Sequence, residues 1–224
     1  MFSFQAAEAV QFNAADGVTI FGEYQGDTAG PVILLFHQAS ANRHEYDPIS
    51  SRLHALGFDT LAIDQRAGGG LFGHQNKTAK GHAGSYIAAL PDLEAALAWS
   101  KDKSSARIVW GSSYSAALVF LLAAKHPNDV AAVLSFSPGE YLGGISDVKD
   151  AAVAVKVPVF ITSSSGSDEI DAAKKIFDAV ASKNNVQFVP NYGVHGSSTL
   201  RKDANEEGFE ENWHAVEKFL AGLK

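Results

Sequence analysis

Three side chains that together could cleave an acyl bond, Ser113, Asp168 and His195, occur in that order along the chain. A serine hydroxyl is a weak nucleophile until a neighbouring base takes its proton, and a histidine base needs a carboxylate to fix its tautomer. The order serine, acid, histidine is that of one class of hydrolases and differs from the chymotrypsin and subtilisin orders. The pattern therefore predicts nucleophilic catalysis, provided that the fold brings the three side chains together.

The residues around Ser113 have the pattern of a sharp turn from a strand into a helix. An apolar run ends at Gly111, and a helix-like apolar pattern continues from Ser115. Such a turn strains the backbone of its central residue and needs small residues two positions to either side, here Gly111 and Ser115. It exposes the Ser113 hydroxyl at the carboxyl end of the strand, and it aims the amide of Tyr114 at the place where an oxyanion would form.

The other two residues lie in loops that follow predicted core strands. Asp168 comes after the strand predicted at Val157–Ile161, and His195 comes after the strand predicted at Val186–Val189. The carboxyl ends of parallel strands meet at one edge of a sheet. If the sheet is parallel, we therefore expect both loops to lie on the same edge as Ser113.

Each of these residues also has a purely structural interpretation. Ser113 could be a helix N-cap, and an aspartate after a strand, such as Asp168, commonly caps a turn or a helix. Glu169 and Asp171 are close enough in sequence to take the place of Asp168 as the acid. His195 alone could be a surface histidine. Together, in this order and on these loops, the three favour a catalytic role.

An oxyanion needs a second donor besides the Tyr114 amide. The loop after the strand predicted at Pro31–Phe36 is the expected source, through the backbone amide of Gln38 or Ala39. We expect the His37 ring to brace this loop and to take no part in the chemistry.

Apolar strands alternate with helical patterns along the whole chain, which predicts an α/β fold with a mainly parallel central sheet. Val10–Asn13 and Val18–Tyr24 are expected to pair across a turn at Asp16 and Gly17. No linker, repeat or low-complexity tract is visible, so we expect a single domain over residues 1–224. The further predicted strands are Phe58–Ile63, Ile108–Trp110 and Val130–Phe136, and the predicted helices are Glu45–Leu56, Tyr86–Trp99, Ser115–Lys125, Ile170–Ala181 and Phe209–Leu220.

The composition narrows the function class. A net charge of −7 without a basic tract argues against nucleic acid as the main partner, and the absence of cysteine excludes a thiolate nucleophile and zinc–sulfur sites. No apolar run is long enough to span a membrane. Met1–Gln11 lacks the pattern of a signal peptide, so the expected location is the cytoplasm, or the periplasm or exterior if a signal has been removed. His74 and His82 have no acidic partner at ligand spacing, and we expect surface histidines, not a metal site.

On these residues the chain resembles the α/β-hydrolase superfamily, and within it the small, lidless members similar to dienelactone hydrolases and esterases. The resemblance extends from Pro31 to the C-terminus. The motifs that carry it are Leu35-Phe36-His37-Gln38 at the oxyanion loop, Gly111-Ser112-Ser113-Tyr114-Ser115 at the turn, Gly166-Ser167-Asp168 at the acid and His195-Gly196 at the base.

The chain departs from the family pattern at two motif positions and in its nucleophile. Gln38 stands where a glycine is usual, and Ser115 replaces the second glycine of the turn. Dienelactone hydrolases use a cysteine nucleophile, so that specific activity is not implied. Only about twenty residues, Ser137–Lys156, follow the strand after which caps usually enter in this superfamily. We therefore expect helices on both faces of the sheet and no cap domain.

The resemblance implies hydrolysis of small to medium carboxylic esters through an acyl-enzyme on Ser113, with no cofactor and no metal. A small-molecule ester is the expected partner, and the oligomeric state stays open. Two alternatives remain: a thioesterase or peptidase with the same residues, and a non-catalytic binding protein that keeps the fold.

Overall fold

A single mixed sheet organises the molecule, which is described here from a computed structural model for residues 7–79, 85–144 and 146–223. These residues form eight strands in the spatial order β1-β2-β4-β3-β5-β6-β7-β8. Strands β3 to β8 are parallel to one another, whereas β1 and β2 are antiparallel to their neighbours. The strands are β1 (Glu8–Asn13), β2 (Thr19–Gln25), β3 (Val32–Phe36), β4 (Asp59–Ile63), β5 (Arg107–Ser112), β6 (Ala132–Phe136), β7 (Val159–Thr162) and β8 (Asn185–Phe188).

Helices cover both faces of this sheet, and the predicted α/β class is confirmed. They are α1 (Asp47–Ala55), α2 (Leu90–Trp99), α3 (Tyr114–Lys125), α4 (Asp147–Ala152), α5 (Ser167–Phe177) and α6 (Phe209–Ala221). Short 3₁₀ turns lie at Arg43–Tyr46, Leu71–Gly73, Tyr86–Ala89, Ser100–Asp102 and Gly196–Leu200. Within the described ranges, none of the helices has both the length and the apolar character needed to cross a bilayer.

The alternation of side chains along each strand divides the interior into two apolar cores. In β3, Val32, Leu34 and Phe36 face the core beneath α2, α3, α4 and α5, whereas Ile33 and Leu35 face the core beneath α1 and α6. All five residues are fully buried. A strand buried on both faces appears in the sequence as an unbroken apolar run, which is why this strand could be predicted.

Several predicted elements differ from the observed ones at their ends, and one short helix was not predicted. The helix predicted from Glu45 begins at Asp47, after a 3₁₀ turn, with Pro48 in its first turn, where a missing amide proton is tolerated. The connection after β6, in which no helix was predicted, contains the six-residue α4. The Glu140 carboxylate accepts hydrogen bonds from two amides at the start of this helix, at 2.8 and 3.0 Å. Ile145 lies outside the described residues, and the rest of the connection holds no cap domain.

A column of aromatic rings ties the sheet to α6. The ring centroids of Trp110 and Phe136 lie 4.5 Å apart, and Phe160 continues the contact to Phe219 at 5.5 Å. The indole nitrogen of Trp110 donates to Ser197 Oγ at 2.9 Å, in the 3₁₀ turn that directly follows His195. The core is thereby connected to the loop that carries the candidate base.

Replacing Trp110 by alanine is expected to lower the free energy of unfolding by about 3–5 kcal/mol, because it leaves a large cavity between the sheet and α6. Urea denaturation measures this change. The control is Tyr192→Ala, since the Tyr192 side chain is 55% exposed and its loss should change stability by no more than about 0.5 kcal/mol. Equal effects of the two substitutions would contradict this description of the core.

Candidate active site

Ser113 lies at the tip of a sharp turn between β5 and α3. Its backbone has φ 58° and ψ −120°, a conformation that residues with a side chain rarely adopt. The Ser113 amide donates to the carbonyl oxygen of Phe136 at 2.8 Å, which anchors the turn to β6. A Cβ at Gly111 would collide with the carbonyl oxygen of Ser115, so the turn requires glycine at that position. The strand–turn–helix arrangement predicted here is confirmed.

The Ser113 hydroxyl, the His195 imidazole and a carboxylate form a continuous hydrogen-bonded chain. Ser113 Oγ lies 2.8 Å from His195 Nε2, and His195 Nδ1 lies 2.8 Å from Glu169 Oε1. An ionised carboxylate only accepts, so Nδ1 carries the proton that it donates to Glu169. Nε2 of the neutral ring is then free to accept the proton of the serine hydroxyl. This is the geometry that general-base activation of a serine requires.

The Glu169 carboxylate and the His195 imidazole stabilise each other's charged form. Partial burial opposes ionisation of Glu169, but hydrogen bonds from His195, Ser137 and the Ser164 amide outweigh it and lower the pKa of Glu169 to about 2. The hydrogen bond to Glu169 raises the pKa of His195 above its usual value, against the opposing effect of burial. At neutral pH the carboxylate is therefore ionised and oriented toward the imidazole.

The carboxylate that contacts His195 is that of Glu169 and not, as predicted, that of Asp168. Both residues lie in the first turn of α5, but successive residues of a helix point about 100° apart, and Asp168 is directed to solvent. Glu169 is half-buried and reaches His195 Nδ1. The start of a helix cannot be fixed from sequence to within a residue, so the sequence could offer Glu169 only as an alternative.

Two backbone amides remain available for an oxyanion. Among the described residues, no hydrogen-bond acceptor contacts the amide of Tyr114 or that of Ala39. The Gln38 amide, offered as an alternative by the sequence, instead donates to Glu45 Oε2 at 2.8 Å. The structure thus removes Gln38 as a donor and leaves Ala39. Glu45 could not be connected to this loop from the sequence.

The His37 ring braces the loop that carries these amides, as expected. It is fully buried, and burial lowers its pKa to about 4, so the ring is neutral. Nδ1 contacts the Gln38 carbonyl oxygen at 2.7 Å, and Nε2 accepts from the Gln65 amide at 2.9 Å. The Ser115 hydroxyl donates to the His37 carbonyl oxygen at 2.7 Å and links this loop to α3.

One group of metal-type ligands occurs among the described residues. Donor atoms of Glu23, His44 and Asp47 lie within 4.8 Å of one another. Glu23 is paired with Arg43 at 2.9 Å, and His44 Nδ1 contacts Asp47 at 3.1 Å. Because a cation would have to compete with both interactions, we assign no metal to this group.

His74 and His82 were predicted to be surface histidines and not metal ligands. The His74 ring stacks on His44, with centroids 3.8 Å apart. His82 lies outside the described residues.

One protein-family model matches a large part of the chain. The model of the family described as "Serine aminopeptidase, S33" matches residues 28–141, more than half of the chain. The chain belongs to this hydrolase family. No curated protein sequence matches it.

Solved structures similar to this hydrolase share its α/β-hydrolase fold. An esterase from Pyrococcus furiosus aligns with a TM-score of 0.76 at 19% identity, covering 96% of this chain and 92% of the esterase. A dienelactone hydrolase from Anabaena variabilis aligns with a TM-score of 0.76 at 16% identity, covering 98% and 99% of the two chains. Est1E from Butyrivibrio proteoclasticus, solved with ferulic acid bound, aligns with a TM-score of 0.73 at 17% identity, covering 96% and 99%. At these identities the likeness supports the fold alone.

Glu169→Gln is expected to lower the pKa of His195, because the neutral amide no longer favours the imidazolium ion. An NMR titration of the His195 ring protons measures this pKa directly. Asp168→Asn is the matched control and should leave the His195 pKa unchanged, since Asp168 is exposed. A larger shift in the Asp168 variant than in the Glu169 variant would restore the aspartate as the acid.

Proposed function

We propose that this hydrolase cleaves small to medium carboxylic esters by acyl transfer through Ser113. The observation that carries the proposal is the hydrogen-bonded chain from Ser113 Oγ through His195 to Glu169, with both distances 2.8 Å. Membership of a serine hydrolase family supports it. The unpaired amides of Ala39 and Tyr114 provide the further element that ester cleavage needs.

In the first half-reaction, Ser113 Oγ attacks the ester carbonyl carbon while His195 Nε2 takes the hydroxyl proton. The negative charge that develops on the carbonyl oxygen is stabilised by the amides of Ala39 and Tyr114. The imidazolium ion, stabilised by Glu169, then gives its proton to the leaving alkoxide. The alcohol departs, and the acyl group stays on Ser113.

In the second half-reaction, His195 Nε2 takes a proton from water as the water oxygen attacks the acyl carbon. The second tetrahedral intermediate collapses by breaking the bond to Ser113 Oγ. His195 returns the proton to Ser113, and the carboxylic acid product leaves. The role of Glu169 is the same in both halves, because the imidazolium ion forms twice.

The open surroundings of the site support substrates of modest size. The side chains of His195 and Glu169 are 40% and 29% exposed. The described part of the connection after β6, where a cap would enter, contains only loops and the short α4. Without a cap, a long acyl chain would stay largely in water, so it would gain little from burial.

A peptidase or thioesterase with the same residues is the second candidate, and the description of the matched family as an aminopeptidase favours testing it. The test compares p-nitrophenyl butyrate, a butyryl thioester and an aminoacyl p-nitroanilide at equal concentrations. We expect the ester to have the highest kcat/KM of the three. A higher value for the anilide or the thioester would replace the proposed substrate class.

Ser113 is expected to react covalently with a fluorophosphonate, and Ser113→Ala should abolish both this labelling and ester turnover. The expected loss in kcat is about four to six orders of magnitude. Intact-protein mass spectrometry measures the adduct, and peptide mapping locates it. Ser146→Ala is a matched control, because Ser146 precedes α4 and, among the residues that the structure describes, its hydroxyl contacts Asp150 alone.

Folded wild-type protein that neither takes up the fluorophosphonate nor hydrolyses any of the three substrates would contradict the proposal. It would favour a non-catalytic binding protein with the hydrolase fold.

A further inference from the structure

The Glu45 carboxyl group is fully buried beside the candidate site, and the mechanism above does not use it. It lies in the 3₁₀ turn Arg43–Tyr46 that follows the oxyanion loop. Among the described residues, no lysine or arginine forms an ion pair with this carboxyl. The Arg201 guanidinium is close, but it donates to the backbone carbonyl oxygens of His44 and Glu45. A buried carboxylate without an ion-pair partner is costly unless its hydrogen bonds compensate.

The hydrogen bonds of this carboxyl connect three separate segments of the site. Oε2 accepts from the Gln38 amide of the oxyanion loop at 2.8 Å, and Oε1 accepts from the Ser112 hydroxyl at 2.7 Å. Ser112 directly precedes Ser113, and its oxygen accepts from the Ser197 amide at 2.8 Å, two residues after His195. One side chain therefore links the oxyanion loop, the turn that carries the nucleophile and the loop that carries the base.

We propose that Glu45 is a positioning residue, which in its ionised form holds these three segments in the geometry that ester cleavage needs. The inference rests on the function proposed above. By engaging the Gln38 amide from the buried side, the carboxylate leaves the next amide, that of Ala39, unpaired for the oxyanion. By fixing Ser112, it fixes the position of the neighbouring Ser113 hydroxyl relative to His195.

The hydrogen bonds of Glu45 have the directions that suit an ionised carboxylate, which accepts through both of its oxygens. The Ser112 oxygen accepts from the Ser197 amide, and the Ser112 hydroxyl donates to Glu45 Oε1. Protonation of Glu45 would reverse the hydrogen bond with Ser112 and remove the charge that strengthens the bonds from Gln38 and Ser112.

Burial and the charged groups around Glu45 shift its pKa in opposite directions. Burial raises the pKa of Glu45 to about 7, against the hydrogen bonds from Gln38 and Ser112 and the positive charges of Arg201 and His195. Tyr46 and Tyr114 also face it, and burial, reinforced by the Glu45 charge, raises the pKa of both phenols. Glu45 therefore changes charge near neutral pH.

This ionisation has opposite consequences for stability and for activity. Because the pKa of Glu45 is higher in the folded than in the unfolded state, its contribution to stability falls as pH rises from about 4.5 to 7. Catalysis, in contrast, would improve over the same range, because the ionised form holds the three segments. A residue that only stabilised the fold would instead change activity and stability together.

The test is Glu45→Gln, with Glu206→Gln as the matched control at an exposed position. Kinetics of p-nitrophenyl butyrate hydrolysis are measured from pH 5 to 9, together with Tm at each pH. We expect kcat of the Glu45 variant to fall about tenfold to a hundredfold at pH 8, with KM changed less than about twofold and Tm not lowered. The acid limb of its pH profile should show one ionisation, that of His195, where the wild type shows two. The control should match the wild type throughout.

A second variant, Ser112→Ala, removes the hydroxyl that joins Glu45 to the turn and keeps the carboxyl. It should also lower kcat, and the double variant should be no worse than the poorer single variant, since both break one network. If Glu45→Gln does not fold, this second variant decides the question by its kcat and Tm.

The inference is overturned if a folded Glu45→Gln protein, or Ser112→Ala in its place, keeps the kcat and pH profile of the wild type. It is equally overturned if the variant loses activity only in proportion to the amount of folded protein that is lost. Fluorophosphonate labelling of the wild type at Ser113 separates this result from failure of the proposed function. A labelled wild type with an unaffected variant rejects only the role of Glu45, whereas an unlabelled wild type rejects the function itself.

Discussion

The backbone at Ser113 is held in a conformation, φ 58° and ψ −120°, that costs about 1–3 kcal/mol on its own. It persists because the structure on both sides is rigid. β5 is hydrogen-bonded to β3 and β6, the Ser113 amide is tied to Phe136, and α3 is buried along most of its length. The position of the hydroxyl and that of the Tyr114 amide both follow from this one turn.

The parallel register of β3 to β8 then determines which loops can meet Ser113. Their carboxyl ends share one edge of the sheet, so segments far apart in sequence converge there. Buried polar side chains hold those segments in place from beneath. His37 is kept neutral by burial, whereas Glu45, equally buried, has its pKa moved close to neutrality. The same physical effect thus produces a permanent brace and a group that changes charge with pH.

Much of this arrangement could be predicted from the sequence, because it depends on local patterns. The run that ends at Gly111 predicted the turn at Ser113, and the unbroken apolar strands predicted a parallel sheet with His195 at its edge. The carboxylate that contacts His195 was harder to predict. Asp168 and Glu169 are adjacent, and the phase of α5 decides which of them faces the imidazole. The choice between Gln38 and Ala39 depended on a buried carboxyl that no spacing rule connects to that loop. The six-residue α4 was too short to show a period.

If ester cleavage proceeds through Ser113, an acyl group must be bound to its oxygen during turnover. The most direct measurement is acid quenching of the enzyme within milliseconds of mixing with p-nitrophenyl butyrate, followed by peptide mapping by mass spectrometry. A butyryl group is expected on the peptide that contains Ser113, formed at a rate at least equal to kcat. Steady ester turnover in Ser113→Ala at the wild-type rate, with no butyryl group on Ser113 in the wild type, would contradict acyl transfer through Ser113.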